Sequence, residues 1–181
     1  MGKTKKHQPV KLIAGFIFKE TPVFEKAKLD LKRHFGGFDL ESGILSFYHT
    51  DYYQEEMGEG LKRVFVSFKR LIYPLDLPQI KVLTNKIEDK FSREGKRGVN
   101  IDPGYLDLAK LVLASTKDFN HRLYLGKGIF GEITLFYTEK TFKPREWTYP
   151  DYRTPECIAL FNEIRTLYAD QINNRRRYSN K

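Results

Sequence analysis

The stretch from Val10 to Gly37, VKLIAGFIFKETPVFEKAKLDLKRHFGG, decides the fold class, because its hydrophobic period changes part-way along. Val10 to Lys19 is rich in Ile and Phe and reads as a mostly buried strand that ends at Glu20-Thr21-Pro22. There Thr21 can cap a helix, and Pro22 suits its first position, where a missing N–H costs nothing. Phe24, Ala27, Leu31 and Phe35 then recur at helical spacing, and Gly36-Gly37 stops the helix.

Outward from this unit the pattern repeats. A strand is expected over Ile44 to His49, a helical turn over Gln54 to Gly58, and a long strand over Leu61 to Ile72. Pro74 and Pro78 bracket a loop. Ile80, Leu83, Ile87 and Phe91 mark a second amphipathic helix that stops before Gly95, and a strand from Gly98 to Asp102 is closed by the turn pair Pro103-Gly104. The order βαββαβ predicts an α+β protein with a ferredoxin-like core, both helices covering one face of an antiparallel sheet. About three further strands should extend that sheet: Ala109 to Thr116, His121 to Leu125 and Ile129 to Tyr137, the last two joined at Gly126 and Gly128. A proline and aromatic segment from Phe142 to Tyr152 leads to a C-terminal helix with Thr154 as cap and Pro155 first. Its face of Cys157, Phe161, Ile164, Tyr168 and Ile172 should dock on the sheet. One domain over residues 8–174 is expected, between basic, disordered tails at 1–7 and 175–181.

At 181 residues, 40% apolar and with 14 Phe and 11 Tyr, the chain has ample material for a core. Its single cysteine, Cys157, rules out an internal disulfide and suits a reducing compartment. No apolar run approaches the roughly 20 residues that span a bilayer, and no apolar export signal follows Met1 to Lys6, so a cytoplasmic protein with no membrane partner is expected. The net charge of +9 is concentrated at the ends: Lys3, Lys5, Lys6, Arg175, Arg176, Arg177 and Lys181. Removing these seven from the 32 basic residues leaves 25 against 23 acidic. A body so close to neutral lacks the footprint of a phosphate-backbone binder. The tails read either as solvated ends or as an anchor for RNA or ribosomes.

Several chemistries are excluded by spacing. No GxxxxGK[ST] phosphate loop is present; Gly126, Gly128 and Gly131 match dinucleotide-binding glycine spacing but lie between strands; and His7, His34, His49 and His121 show no paired spacing for zinc. What is present is a set of polar residues at strand ends. Asn100 and Asp102 fall on one face of their strand, and Glu132 and Thr134 on one face of theirs. Pairing of the strands on either side of Ser115 to Arg122 would gather Lys117, His121 and Arg122. Lys117, Arg122 and Asn100 would then hold an anionic ligand, His121 would move a proton, and Asp102 or Glu132 would orient it or bind Mg²⁺. The alternative is a hydrated hairpin end, with Glu132 and Thr134 facing water. Thr50-Asp51-Tyr52-Tyr53 and the pair Asn85 and Glu88 are further polar candidates that capping or surface pairing would also explain. Trp147 to Tyr152, flanked by Lys143, Arg145 and Arg153, is either a base-stacking surface or a lid folded over the core. Lys62 to Phe68 matches only the basic start and the Phe-Val-x-Phe end of the RNA-recognition signature.

The chain resembles the bacterial domain-of-unknown-function 4416 family. The resemblance rests on Thr50 to Tyr53, Glu56-Met57-Gly58, Thr84-Asn85 with Ile87-Glu88, Asn100 to Tyr105, Leu113 to Lys117 with His121-Arg122, and Trp147 to Tyr152, and it covers roughly residues 8–173. It implies a bacterial cytoplasmic protein from an uncharacterised family whose members are often labelled GTP-binding. The expected function is binding of a nucleotide or another phosphorylated or carboxylated small molecule, with or without a reaction. The alternative is a non-catalytic module that binds RNA or ribosomes through the tails and the Trp147 region.

Overall fold

A computed structural model describes residues 2–48 and 53–179. It is a mixed α/β fold built on one nine-stranded antiparallel sheet with a long C-terminal helix. The strands are β1 (Val10–Phe18), β2 (Phe38–Glu41), β3 (Leu45–Ser46), β4 (Lys62–Ile72), β5 (Val99–Leu106), β6 (Lys110–Ser115), β7 (Leu123–Gly126), β8 (Ile129–Thr138) and β9 (Thr141–Pro144). They run in the order β2-β4-β1-β5-β6-β8-β7, with β3 paired to β4 and β9 to β8. The helices are α1 (Thr21–Phe35), α2 (Gln54–Met57), α3 (Leu77–Lys90) and α4 (Pro155–Ser179).

Alternation along the strands sorts side chains to two faces. Phe16, Phe18, Val64, Val66 and Ile101 meet Phe24, Leu31, Ile80 and Ile87, so α1 and α3 share one face. Phe65, Leu113 and Leu135 meet Phe161, Ile164 and Tyr168 on the other, where α4 docks by the face its sequence predicted. Thr154 Oγ1 accepts the Cys157 N–H as the predicted cap, at 3.3 Å. At α1 the cap position belongs instead to Glu20, whose backbone carbonyl takes the first bonds, and Thr21 with Pro22 form the first helical positions.

Four local expectations are corrected. Phe38–Glu41 is a strand although its polar alternates gave no apolar run; pairing with β4 orders it, and Asp39 forms an ion pair with Lys11 from β1. The predicted strand at Ile44 shrinks to Leu45–Ser46, its far end at His49 lying outside the described residues. Thr141–Pro144 is a strand because Glu139 and Lys140, both at positive φ, make a two-residue turn that folds it back on β8. The basic stretch expected as a tail at 175–181 is helical through Ser179.

A fifth correction creates the site. Pro103-Gly104 does not end β5, which runs to Leu106. The Ile101 N–H donates to Glu88 Oε1 (2.8 Å) and its carbonyl accepts from Lys81 Nζ (2.9 Å), so the strand's outer edge here meets α3 side chains and not another strand. Pro103, two residues on, turns its nitrogen to the same side, where no ladder needs an N–H. Only Gly104, Tyr105 and Leu106 pair with β6, whereas Ala114 and Ser115 of β6 continue alongside β8. The sheet therefore splits between β5 and β6.

Replacing Phe161, fully buried and stacked on Tyr152, by Ala should cost about 3–5 kcal/mol in urea or guanidinium unfolding, since the cavity would sit between α4 and the sheet.

Candidate functional site

The split opens into a cavity of about 740 Å³. Helix α3 lines it with Lys81, Asn85 and Glu88, a stripe at i, i+4 and i+7. β5 contributes Asn100 and Asp102; the end of β6 contributes Ser115, Thr116 and Lys117; β8 contributes Glu132; and Pro150 to Tyr152 close another wall.

Arg63, 2% exposed, anchors the floor. Its Nη1 donates to Asp102 Oδ2 (3.1 Å) and its Nη2 to Tyr152 Oη (2.7 Å). Nε lies 3.2 Å from Asp151 Oδ2 but is not aligned for a hydrogen bond. The guanidinium also lies over the Phe65 ring, 4.6 Å from its centroid. It reaches Asp102 across β1 because residue 15 is glycine: a Cβ there would stand 2.8 Å from Nη2 and 3.0 Å from Phe65. Burial acts to lower the Arg63 pKa, but Tyr152, Asp151 and Asp102 outweigh it and hold the group charged. Burial pushes the Tyr152 and Tyr149 hydroxyls up, so both stay neutral.

A second arginine organises the other end of the same wall. Arg97 grips Glu56 through Nε (2.7 Å) and Nη2 (2.6 Å), and its Nη1 donates to Asn100 Oδ1 (2.6 Å) and to Glu88 Oε2 (3.3 Å). The Arg97 hydrogen bonds hold the Glu56 carboxyl below the ordinary range. Glu88 is shifted the other way: burial raises its pKa, and Lys81 and the Ile101 N–H offset only part of that.

Of the residues singled out by sequence, Asn100, Asp102, Lys117 and Glu132 line the cavity, as do Asn85, Glu88 and Tyr53. Thr50, Asp51 and Tyr52 lie outside the described residues. His121 and Arg122 stand behind the wall. The expected pairing of β6 with β7 does not occur, because β8 lies between them. Instead Arg122 Nε donates to Glu132 Oε2 (2.8 Å), Nη1 to Ser115 Oγ (3.2 Å) and the Lys117 carbonyl (2.9 Å), and Nη2 to Tyr149 Oη (2.8 Å). His121 Nε2 lies 3.1 Å from the same Glu132 oxygen; a carboxylate only accepts, so this nitrogen carries the proton. Thr134 Oγ1 donates to Glu132 Oε1 (3.2 Å). Both residues are buried, not water-facing.

Trp147 stacks on His121 and donates Nε1–H to the Ile133 carbonyl (2.9 Å), while Thr148 Oγ1 bonds the Thr134 carbonyl (2.5 Å). The Trp147 segment thus covers the edge of β8 between β7 and β9, the lid reading of that stretch. The described residues contain no group of three or more His, Cys, Asp or Glu placed to hold a metal ion.

Sequence reasoning missed Arg63, Lys81 and Arg97 as site residues, and named Asp151 and Tyr152 only within the Trp147 segment. Arg63 had a signal: it alternates with Phe65 and Ser67 on one face of a long apolar strand, where a charge demands buried partners. Lys81 had one too, next to Ile80 on the core side of α3. Arg97 and Asp151 had none, since both sit in connections whose course is set by distant contacts.

The domain of unknown function 4416 (DUF4416) matches residues 8–168, most of the chain. The chain belongs to the DUF4416 family. No curated protein and no solved structure matches it. No helix among the described residues of this DUF4416 chain is long and apolar enough to cross a membrane.

Arg122→Ala should cost about 3–5 kcal/mol of unfolding free energy by leaving Glu132 buried without its guanidinium. Glu88 gives a pH test. Its folded pKa is raised, so the native state binds more protons than the unfolded chain above the ordinary value of 4.5, and stability falls as pH rises from there towards the folded pKa. Glu88→Gln, which keeps an acceptor for Ile101, should therefore gain stability relative to the parent as pH increases over that window in denaturant titrations.

Proposed function

We propose that this protein binds a small polar ligand of the nucleotide class, phosphorylated or carboxylated, in the cavity between β5 and β6. The cavity itself carries the reading. At about 740 Å³ it falls in the range of small-molecule sites, and it lies in a gap between two strands that other elements close without filling. Arg63, Lys81 and Arg97 are each tied to carboxylates or backbone, so the floor is nearly neutral and suits the uncharged part of a ligand. Ser115, Thr116 and Lys117 at the end of β6 are the groups we assign to the anionic part. In the same reading β1-α1-β2-β4-α3-β5 forms a ferredoxin-like core, a view supported by the order β2-β4-β1-β5 and by α1 and α3 sharing one face. β6 to β9 extend that core and create the site at their junction with it.

Asp102 is the candidate acid or base. It lines the cavity, a quarter exposed, with one oxygen on Arg63. Glu132 keeps both oxygens engaged by His121, Arg122 and Thr134, so its role and that of His121 and Arg122 is to hold the wall.

A thermal-shift panel of nucleotides, GTP included, with and without Mg²⁺ tests the reading. A ligand at about 100 times its Kd adds roughly 2.7 kcal/mol, a rise of about 5–10 °C in Tm for this size of chain. The rise should survive removal of residues 2–7 and 175–181. A flat panel overturns the proposal, and a rise lost with those residues would assign binding to the basic ends.

A further inference from the structure

The basic residues that the sequence places at opposite ends of the chain are gathered by the fold at one end of the molecule. The Pro9 carbonyl accepts from Tyr168 Oη (2.9 Å), so the exposed segment carrying Lys3, Lys5 and Lys6 leaves the body beside the last turns of α4. Lys6 is three residues from that anchor and stays within about 10 Å of it. Gln171, on the next turn, donates to the Lys69 carbonyl of β4 (2.9 Å), and Arg175 follows Gln171 at i+4 on the same side of the helix.

Lys69 and Arg70 join this group through an irregularity of their own strand. Lys11 pairs with Leu71 and Ile13 with Ser67, so the single residue Leu12 faces Phe68, Lys69 and Arg70. The bulge leaves both cations exposed on a strand that is otherwise almost wholly buried. Asp39, which β2 brings to this end, is engaged by Lys11 and Ser67. The stretches 2–9, 68–76 and 168–177 contain no acidic residues but Asp76 and Asp170.

We propose that Lys69 and Arg70, with Lys3, Lys5, Lys6, Arg175 and Arg177, form a binding surface for the phosphate backbone of a single-stranded nucleic acid. A near-neutral body is no bar, because a polyanion responds to the local field. Cations spaced over three segments suit a run of phosphates, and Tyr73, 57% exposed and three residues past Arg70, offers a ring on which a base can stack. A lipid surface would call for an apolar face on the helix, and Asn173 to Arg177 has none. The six residues of β4 between them put Lys69 about 20 Å from Arg63 on the cavity floor, so this surface and the cavity stand or fall separately.

Fluorescence anisotropy of a labelled single-stranded RNA with the full chain tests this. Contacts to four or five phosphates give a salt slope of about 3, so affinity should fall roughly 50-fold or more between 50 and 200 mM KCl. Lys69→Gln combined with Arg70→Gln should lower that slope by about 1.4 and weaken binding about tenfold or more at the lower salt, with Tm unchanged because both side chains are exposed. Lys86→Gln combined with Arg93→Gln, which removes two exposed charges near the cavity, should change neither. If the RNA does not bind, or if the Lys69 and Arg70 changes leave slope and affinity as they were, the proposal is overturned. The latter result, with binding abolished by removal of residues 2–7 and 175–181, would assign the RNA to the basic ends alone. Binding to mixed phosphatidylcholine and phosphatidylserine vesicles but not to RNA would overturn it in favour of a membrane surface.

Discussion

A guanidinium buried among aromatic rings is expensive unless every side of it is answered, and the cavity face of this sheet is arranged around one. Arg63 sits on β4 between Phe65 and Tyr152 and draws Asp102 from β5, two strands away across β1, together with Asp151 and Tyr152 from the turn that leads into α4. Desolvating such a charge costs several kcal/mol, and removing one partner from a buried pair typically costs about 3–5 kcal/mol. The long connection from β9 to α4 is held to the sheet by that requirement. Gly15 is part of the same constraint, since a methyl group there would occupy the path of the guanidinium.

The gap beside Asp102 is a second consequence of local chemistry. β5 could have bonded β6 along its whole length, but Pro103 offers no N–H on that side, and Lys81 and Glu88 of α3 occupy the Ile101 carbonyl and N–H. A helix side chain satisfies the backbone as well as a strand would, and it does so without closing the space above it. Glu88 carries the cost of this arrangement as a raised pKa from burial. Arg97 joins that region to α2 through Glu56, so the two arginines brace opposite ends of one cavity wall.

Much of the fold was legible because long amphipathic segments announce themselves. α1, α3 and α4 dock by the faces that Phe24, Ile80 and Phe161 marked, and β1, β4 and β8 follow their apolar runs. The short strands were not legible: Phe38–Glu41 and Thr141–Pro144 are ordered by their partners and not by any pattern of their own. At the site, alternation along β5 and β8 placed Asn100, Asp102 and Glu132 correctly on inward positions. It could not say that β8 separates β6 from β7, and so His121 and Arg122 appeared as ligand groups when they brace Glu132 from behind.

The amino-acid sequence by itself determined the long helices and long strands, the buried faces of the amphipathic helices, and that the body is nearly neutral with its basic surplus at the ends. Those properties follow from local periodicity and composition, which a linear chain carries in full. Only the tertiary structure decided that β5 and β6 part and that Arg63 and Arg97 meet Asp102 and Asn100. Each of these joins residues from separate elements, and which separate elements become neighbours is settled by the competition for burial and hydrogen bonds across the whole sheet.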